Sequence, residues 1–305
     1  MELTQAVLQL NAAAEPSRLR LLVALLGGEA TVGDLVLALA QSQPRVSRHL
    51  RLLAEAGLVE SFREGRSIYY RWSTAGFEAG IVNSVATLGD SLDPTIAGDR
   101  ERLQKLSRQR ERHALHRALR TGRARGLHAS VADTASADLI RSLPGAPRPE
   151  DILHVGCGSG ELLRRLLPES RTVVGTETSG PLRQVARARL RQSGLPRWTI
   201  RDAPASGLPF EAEKFELVIV EDALGAGPDT ETQKILSEAA RVLRPAGKLL
   251  ILDRILPTDG ELSPRLGALG FTITRRQWLP GRAPDRALFL ATRAASNSAR
   301  MGTDD

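Results

Sequence analysis

The sequence predicts an α/β protein of two domains, a small helical domain with a β-hairpin followed by a larger, doubly wound parallel sheet. Three observations predict it. Apolar residues recur at three- and four-residue spacing up to Leu53, residues 59–72 alternate about a Glu64-Gly65 turn, and from residue 151 onward short apolar runs alternate with helical patterns. A length of 305 residues suits about two domains, and 42% hydrophobic residues suffice to build their cores.

In the first domain Leu19, Leu22, Val23 and Leu26 mark one amphipathic helix, and Val32, Leu35, Val36 and Leu39 a second. Gly27 and Gly28 end the first and Thr31 caps the second. Ser42 is placed to cap a third helix, with Pro44 tolerated in its first turn. There Val46, Leu50 and Leu53 share a buried face, which turns Arg45, Ser47, Arg48 and Arg51 outward with Gln43 and His49 on the flanks. Short polar and guanidinium groups near a helix start suit base edges and phosphates in a major groove.

The stretch "LVESFREGRSIYYRW" reads as a hairpin. Ile68, Tyr70 and Trp72 fall on one face, Ser67, Tyr69 and Arg71 on the other, and Arg63 and Arg66 near the tip. Two helices, a recognition helix and a wing make a winged helix-turn-helix that reads double-stranded DNA through Gln43, Arg45, Ser47, Arg48, His49, Arg63 and Arg66.

The run "SQPRVSRHLRLLAEAGLVESFREGRSIYYRW" resembles the ArsR/SmtB family of bacterial winged-helix repressors over about residues 8–75. The resemblance implies a homodimer, paired through the first helix and a helix near Phe77 to Leu88, on a partly palindromic operator. Where arsenic sensors of that family carry thiols, "ATVGDLV" has no cysteine. Glu111, His113 and His116 cluster in "ERHALH", but the surrounding arginines repel a cation, so no metal site is expected.

Charge is unevenly spread. Residues 1–75 carry eight basic and seven acidic side chains, whereas residues 98–125 carry ten and three, so the excess of +7 lies in the middle of the chain. The single cysteine, Cys157, fits a reducing compartment. No apolar run approaches a membrane span and no export leader is evident, so a cytoplasmic location without membrane contact is expected.

"SLPGAPRPED", residues 142–151, is a proline-rich hinge. The expected organisation is a DNA-binding and dimerisation domain over 1–92, a basic helical linker over 93–149, the doubly wound domain over 150–293 and a flexible tail over 294–305.

In "DILHVGCGSGE" Gly156, Gly158 and Gly160 permit a sharp turn and close approach to a ligand, ahead of a helix whose free amides face it. Position 161 is Glu where dinucleotide enzymes carry their third fingerprint glycine, which favours an adenosine ligand without a pyrophosphate. Glu177, followed by Thr178, ends the next apolar run, where a carboxylate accepts from both ribose hydroxyls. Asp202 and the Ala203 amide follow the third run and suit an adenine edge, and Glu221 with Asp222 lines the pocket beyond the fourth.

"HVGCGSG", "VGTE", "RDAPASGLPF" and "RVLRPAG", in this order, resemble the class I S-adenosylmethionine-dependent methyltransferases over residues 150–293. The resemblance implies a Rossmann-like fold with S-adenosylmethionine or S-adenosylhomocysteine held by His154, Gly156, Cys157, Gly158, Gly160, Glu177, Thr178, Asp202, Ala203 and Glu221. His154 stands where that family carries an acid, and Cys157 reads as a small loop filler. No catalytic residue is assigned, and no histidine follows residue 154 to serve as a base. The expected function is a dimeric DNA-binding regulator with an adenosyl compound as effector or cofactor. The alternative is an active methyltransferase that uses its winged helix mainly to dimerise.

Overall fold

The computed structural model describes residues 3–73, 85, 87, 93–120, 137–138, 150–193, 197–224, 229–253, 259–279 and 286–295. The chain divides into two compact units, residues 1–124 with 184–199, and residues 125–183 with 200–305.

The first unit contains α1 (Leu3–Ala13), α2 (Pro16–Leu25), β1 (Ala30–Thr31), α3 (Val32–Leu39), α4 (Gln43–Glu55), β2 (Val59–Glu64), β3 (Ser67–Trp72) and α5 (Pro94–Arg120). The two predicted amphipathic stretches form α2 and α3. Thr31 caps α3 in a capping box, its hydroxyl accepting from the Asp34 amide while the Asp34 carboxylate accepts from the Thr31 amide. Ser42 is the N-cap of α4, but its side chain makes no capping bond. Val46, Leu50 and Leu53 are fully buried and pack with Leu21, Leu22, Leu25 and Leu35 in one core.

β1, β3 and β2 form an antiparallel sheet in that order, with Val59 opposite Trp72 and Glu64 opposite Ser67. The alternation along β3 leaves open which of its residues are covered. Tyr69 and Trp72 are the buried residues and Ile68 is exposed, because Tyr69 is sandwiched between the Phe62 ring and the Arg187 guanidinium, 4.2 Å from its centroid. The dimer helix expected near Phe77 to Leu88 lies largely outside the described residues.

Arg187 anchors a buried charged cluster in this unit. It pairs with Glu29, donates to Glu64 Oε2 at 2.6 Å and reaches the Tyr69 hydroxyl at 3.3 Å. Glu29 also accepts from Thr199 Oγ1 at 2.6 Å. Burial opposes the guanidinium charge, but the two carboxylates outweigh it and raise the Arg187 pKa.

The second unit is organised on a seven-stranded sheet of order β6-β5-β4-β7-β8-β10-β9. Its elements are β4 (Asp151–Val155), α6 (Glu161–Leu166), β5 (Thr172–Thr176), α7 (Gly180–Gln192), β6 (Trp198–Arg201), β7 (Phe215–Glu221), α8 (Asp229–Val242), β8 (Leu243–Asp253), α9 (Asp259–Ala268), β9 (Phe271–Leu279) and β10 (Arg286–Arg293). β4 pairs in parallel with β5 and β7, and β7 with β8, as the strand–helix alternation predicts. β10 is reversed, antiparallel to both β8 and β9. α7 and the head of β6 are shared out between the units, α7 at the Arg183–Gln184 bond.

Removing one partner of a fully buried ion pair leaves an uncompensated charge. Arg187→Met, which strips the cation from buried Glu29 and from Glu64, is expected to lower stability by about 3–5 kcal/mol, read as an earlier urea transition by circular dichroism.

Candidate functional site

The candidate ligand site lies at the carboxyl ends of β4 to β7. β4 is central, and the chain leaves it for β5 and β6 on one side and returns to β7 and β8 on the other. Such a reversal of strand order opens a crevice. The glycine loop between β4 and α6 turns there, with φ of 77° at Gly156, 53° at Gly158 and 75° at Gly160. The amides of Gly156 and Cys157 both donate to the Thr176 carbonyl, at 2.9 and 3.0 Å, which folds the loop back over the end of β5.

Glu177 is the centre of the arrangement. Its carboxylate accepts from the Gly158 amide at 3.1 Å and the Ser179 amide at 2.7 Å. A carboxylate offers about four acceptor positions, so two remain for hydroxyls. Beside it the Ser179 hydroxyl and Thr176 Oγ1 are buried without hydrogen-bond partners among the described residues. Buried polar atoms left in this state mark a place for a polar ligand or water.

Arg183, which sequence reasoning missed, ties two predicted residues together. It donates to the Glu177 carbonyl at 2.6 Å and to Asp202 Oδ2 at 2.7 Å. Ser179 and Arg183 are spaced i, i+4 on entry to α7, and only that periodicity could have flagged them. Thr178 and Asp202 are exposed, while the Ala203 side chain is buried. Cys157 is buried, and a Cβ at Gly175 would meet its sulfur at 2.7 Å, so its side chain packs on β5 as loop filler.

His154 is fully buried, with Nε2 2.9 Å from Glu221 Oε2. Position 154 thus faces a carboxylate contributed by β7, an acid supplied by a different strand from the one on which a carboxylate was expected. Neither ring nitrogen of His154 makes a hydrogen bond among the described residues, so the approach to Glu221 is a close contact without hydrogen-bond geometry.

The predicted DNA-contacting residues divide. Gln43, Arg45, Arg48, Arg63 and Arg66 are exposed and Ser47 is half-buried. Arg45 donates to Ser17 Oγ at 3.1 Å, and Arg63 to the Gly65 carbonyl at 3.2 Å across its own turn. His49 turns toward the α2 N-cap, 3.6 Å from Glu15 Oε2. Burial, helped by Arg18, Arg45 and Arg48 against the opposing pull of Glu15, holds its pKa below the ordinary imidazole range, so it is neutral near pH 7.

A Cβ at Gly156 would sit 2.4 Å from the Glu221 carbonyl oxygen, in a backbone conformation that L side chains rarely adopt. Gly156→Ala is expected to cost about 2–4 kcal/mol, measured by urea unfolding, with the loop displaced from Glu221.

Residues 15–61 match the family described as bacterial regulatory protein, arsR family, and residues 152–247 match the methyltransferase domain family. Among curated relatives, the ubiquinone/menaquinone biosynthesis C-methyltransferase of Erwinia tasmaniensis is 31% identical over 136 residues, which cover 43% of this chain and 53% of that protein. An uncharacterized methyltransferase of Anoxybacillus flavithermus is 28% identical over 102 residues, covering 33% and 46%. The chain therefore spans about half the length of the curated relatives it matches. The crystal structure of Burkholderia thailandensis 1,6-didemethyltoxoflavin-N1-methyltransferase is 19% identical, covers 63% of this chain and 90% of that one, and gives a TM-score of 0.49. The chain joins an arsR-family helix-turn-helix to a methyltransferase domain of the doubly wound, Rossmann-like fold.

Proposed function

We propose that this protein is a homodimeric, DNA-binding transcriptional regulator of the cytoplasm whose methyltransferase domain binds S-adenosylmethionine or S-adenosylhomocysteine, and that the bound compound biases operator binding. Glu177 would hold the ribose hydroxyls, Asp202 and the Ala203 amide the adenine edge, and the glycine loop the rest of the ligand. His154 is buried beside Glu221 below the loop. The two open acceptor positions of Glu177 and the unpartnered Ser179 hydroxyl support this fit. When bound, S-adenosylmethionine supplies a methyl group activated by its sulfonium. No base is assigned to this chain.

The observation that carries the regulatory reading is the outward face of α4, which leaves Gln43, Arg45 and Arg48 exposed in a chain whose Glu177 keeps two acceptor positions open. A coupling of about 1–3 kcal/mol suffices for regulation.

Dimerisation is supported by α1, which exposes Leu3, Val7 and Leu10 at helical spacing with 81%, 47% and 57% of their surface open. Leu3→Glu with Val7→Glu is expected to convert a dimer to a monomer in sedimentation equilibrium.

The function is tested by titrating a duplex selected by the protein from random DNA, with and without each adenosyl compound. A shift of about fivefold or more is expected, and Glu177→Gln should abolish it while weakening ligand binding about tenfold in calorimetry. Identical DNA affinity in all three conditions removes the regulatory reading. Sustained release of S-adenosylhomocysteine with an added acceptor would favour a working methyltransferase that uses its winged helix mainly to dimerise.

A further inference from the structure

The long helix α5 carries eight basic and three acidic residues, and its cations fall into two sets. Arg102 pairs with Asp99 at 2.6 Å and Arg110 with Asp34 at 2.6 Å, on the side that packs against α2 and α3. Ile96 and Leu103 are buried there. On the other side Lys105, Arg108 and Arg112 are exposed and have no carboxylate partner among the described residues. With His116 they lie within about 80° of one another around the axis and span about 16 Å along it.

We propose that this stripe is a second nucleic-acid surface, which takes the phosphate backbone of duplex DNA outside the segment read by the recognition helix. The proposal rests on the DNA-binding reading above and extends it. A duplex binds proteins largely through neutralised phosphates, yet residues 1–75 are nearly neutral, with eight basic and seven acidic side chains. The missing cations stand on α5, in the same compact unit as α4.

The chemistry of the stripe selects the partner. No aromatic residue is interleaved with its cations, so it offers single strands no stacking platform. Ile96 and Leu103 of α5 lie in the core of its own unit, and Leu119 is the one large apolar side chain that α5 exposes among the described residues, too little to insert into a lipid surface. A row of unpaired cations on a rigid rod fits a duplex backbone.

The test is fluorescence anisotropy of a mixed-sequence duplex across a salt series, with the full chain and with Lys105→Ala/Arg108→Ala/Arg112→Ala. Three phosphate contacts contribute about 2.7 to the slope of log affinity against log salt. The wild type should therefore lose about 40-fold more affinity than the triple variant between about 50 and 200 mM salt. The charge-preserving Lys105→Arg/Arg108→Lys/Arg112→Lys should keep the wild-type slope, which separates lost charge from lost fold. An unchanged slope in the alanine variant overturns the inference and leaves the recognition helix as the DNA surface. A wild type that binds no duplex even at low salt overturns the DNA-binding reading itself, and this inference with it.

Discussion

The carboxylate of Glu177 is the constraint on which the candidate site depends. It accepts amides from two segments, the glycine loop at Gly158 and the head of α7 at Ser179. Both amides belong to backbone that only a particular sequence can present. The loop needs positive φ at Gly156, Gly158 and Gly160, and any side chain at Gly156 would displace the end of β7. Loop, strand end and helix start are tied together by one acid.

A second acid-base set holds the first unit. Glu29 and Arg187 are among its most buried polar residues, and neither could be there alone. Glu64 and Tyr69 bring the wing into the same cluster, so the hairpin is more than a pair of strands joined by a turn. An isolated two-stranded hairpin is marginal in water. Here β3 also pairs with β1, and the Tyr69 ring carries a cation on one face.

Much of this was legible in the sequence, for a local reason. The faces of α4 follow from the spacing of Val46, Leu50 and Leu53, and the strand ends that carry Glu177, Asp202 and Glu221 follow from where each apolar run stops. Contacts between distant segments were not legible. Nothing near His154 announces Glu221, because the partner sits on a strand that is adjacent in space and remote in sequence. Arg183 looked like one more basic residue of an amphipathic helix until its two acceptors were placed. The reversal of β10 was hidden because "RALFLATR" has the same apolar character as a parallel strand, and direction is set by the connection alone. The burial of Tyr69 was not legible because alternation counts positions and not the guanidinium that covers a ring.

The division of α7 at the Arg183–Gln184 bond bears on how the molecule can be dissected. The proline-rich sequence at residues 142–151 invites a cut, yet the amino-terminal fragment it releases would lack residues 184–199. Glu29 would then be stranded without Arg187 or Thr199, and the hollow over Gly28, where a Cβ would overlap the Trp198 ring at 2.2 Å, would open to water. The helix-turn-helix is first in the chain but its compact unit is completed by residues 184–199, so its final packing must await the second half of the polypeptide.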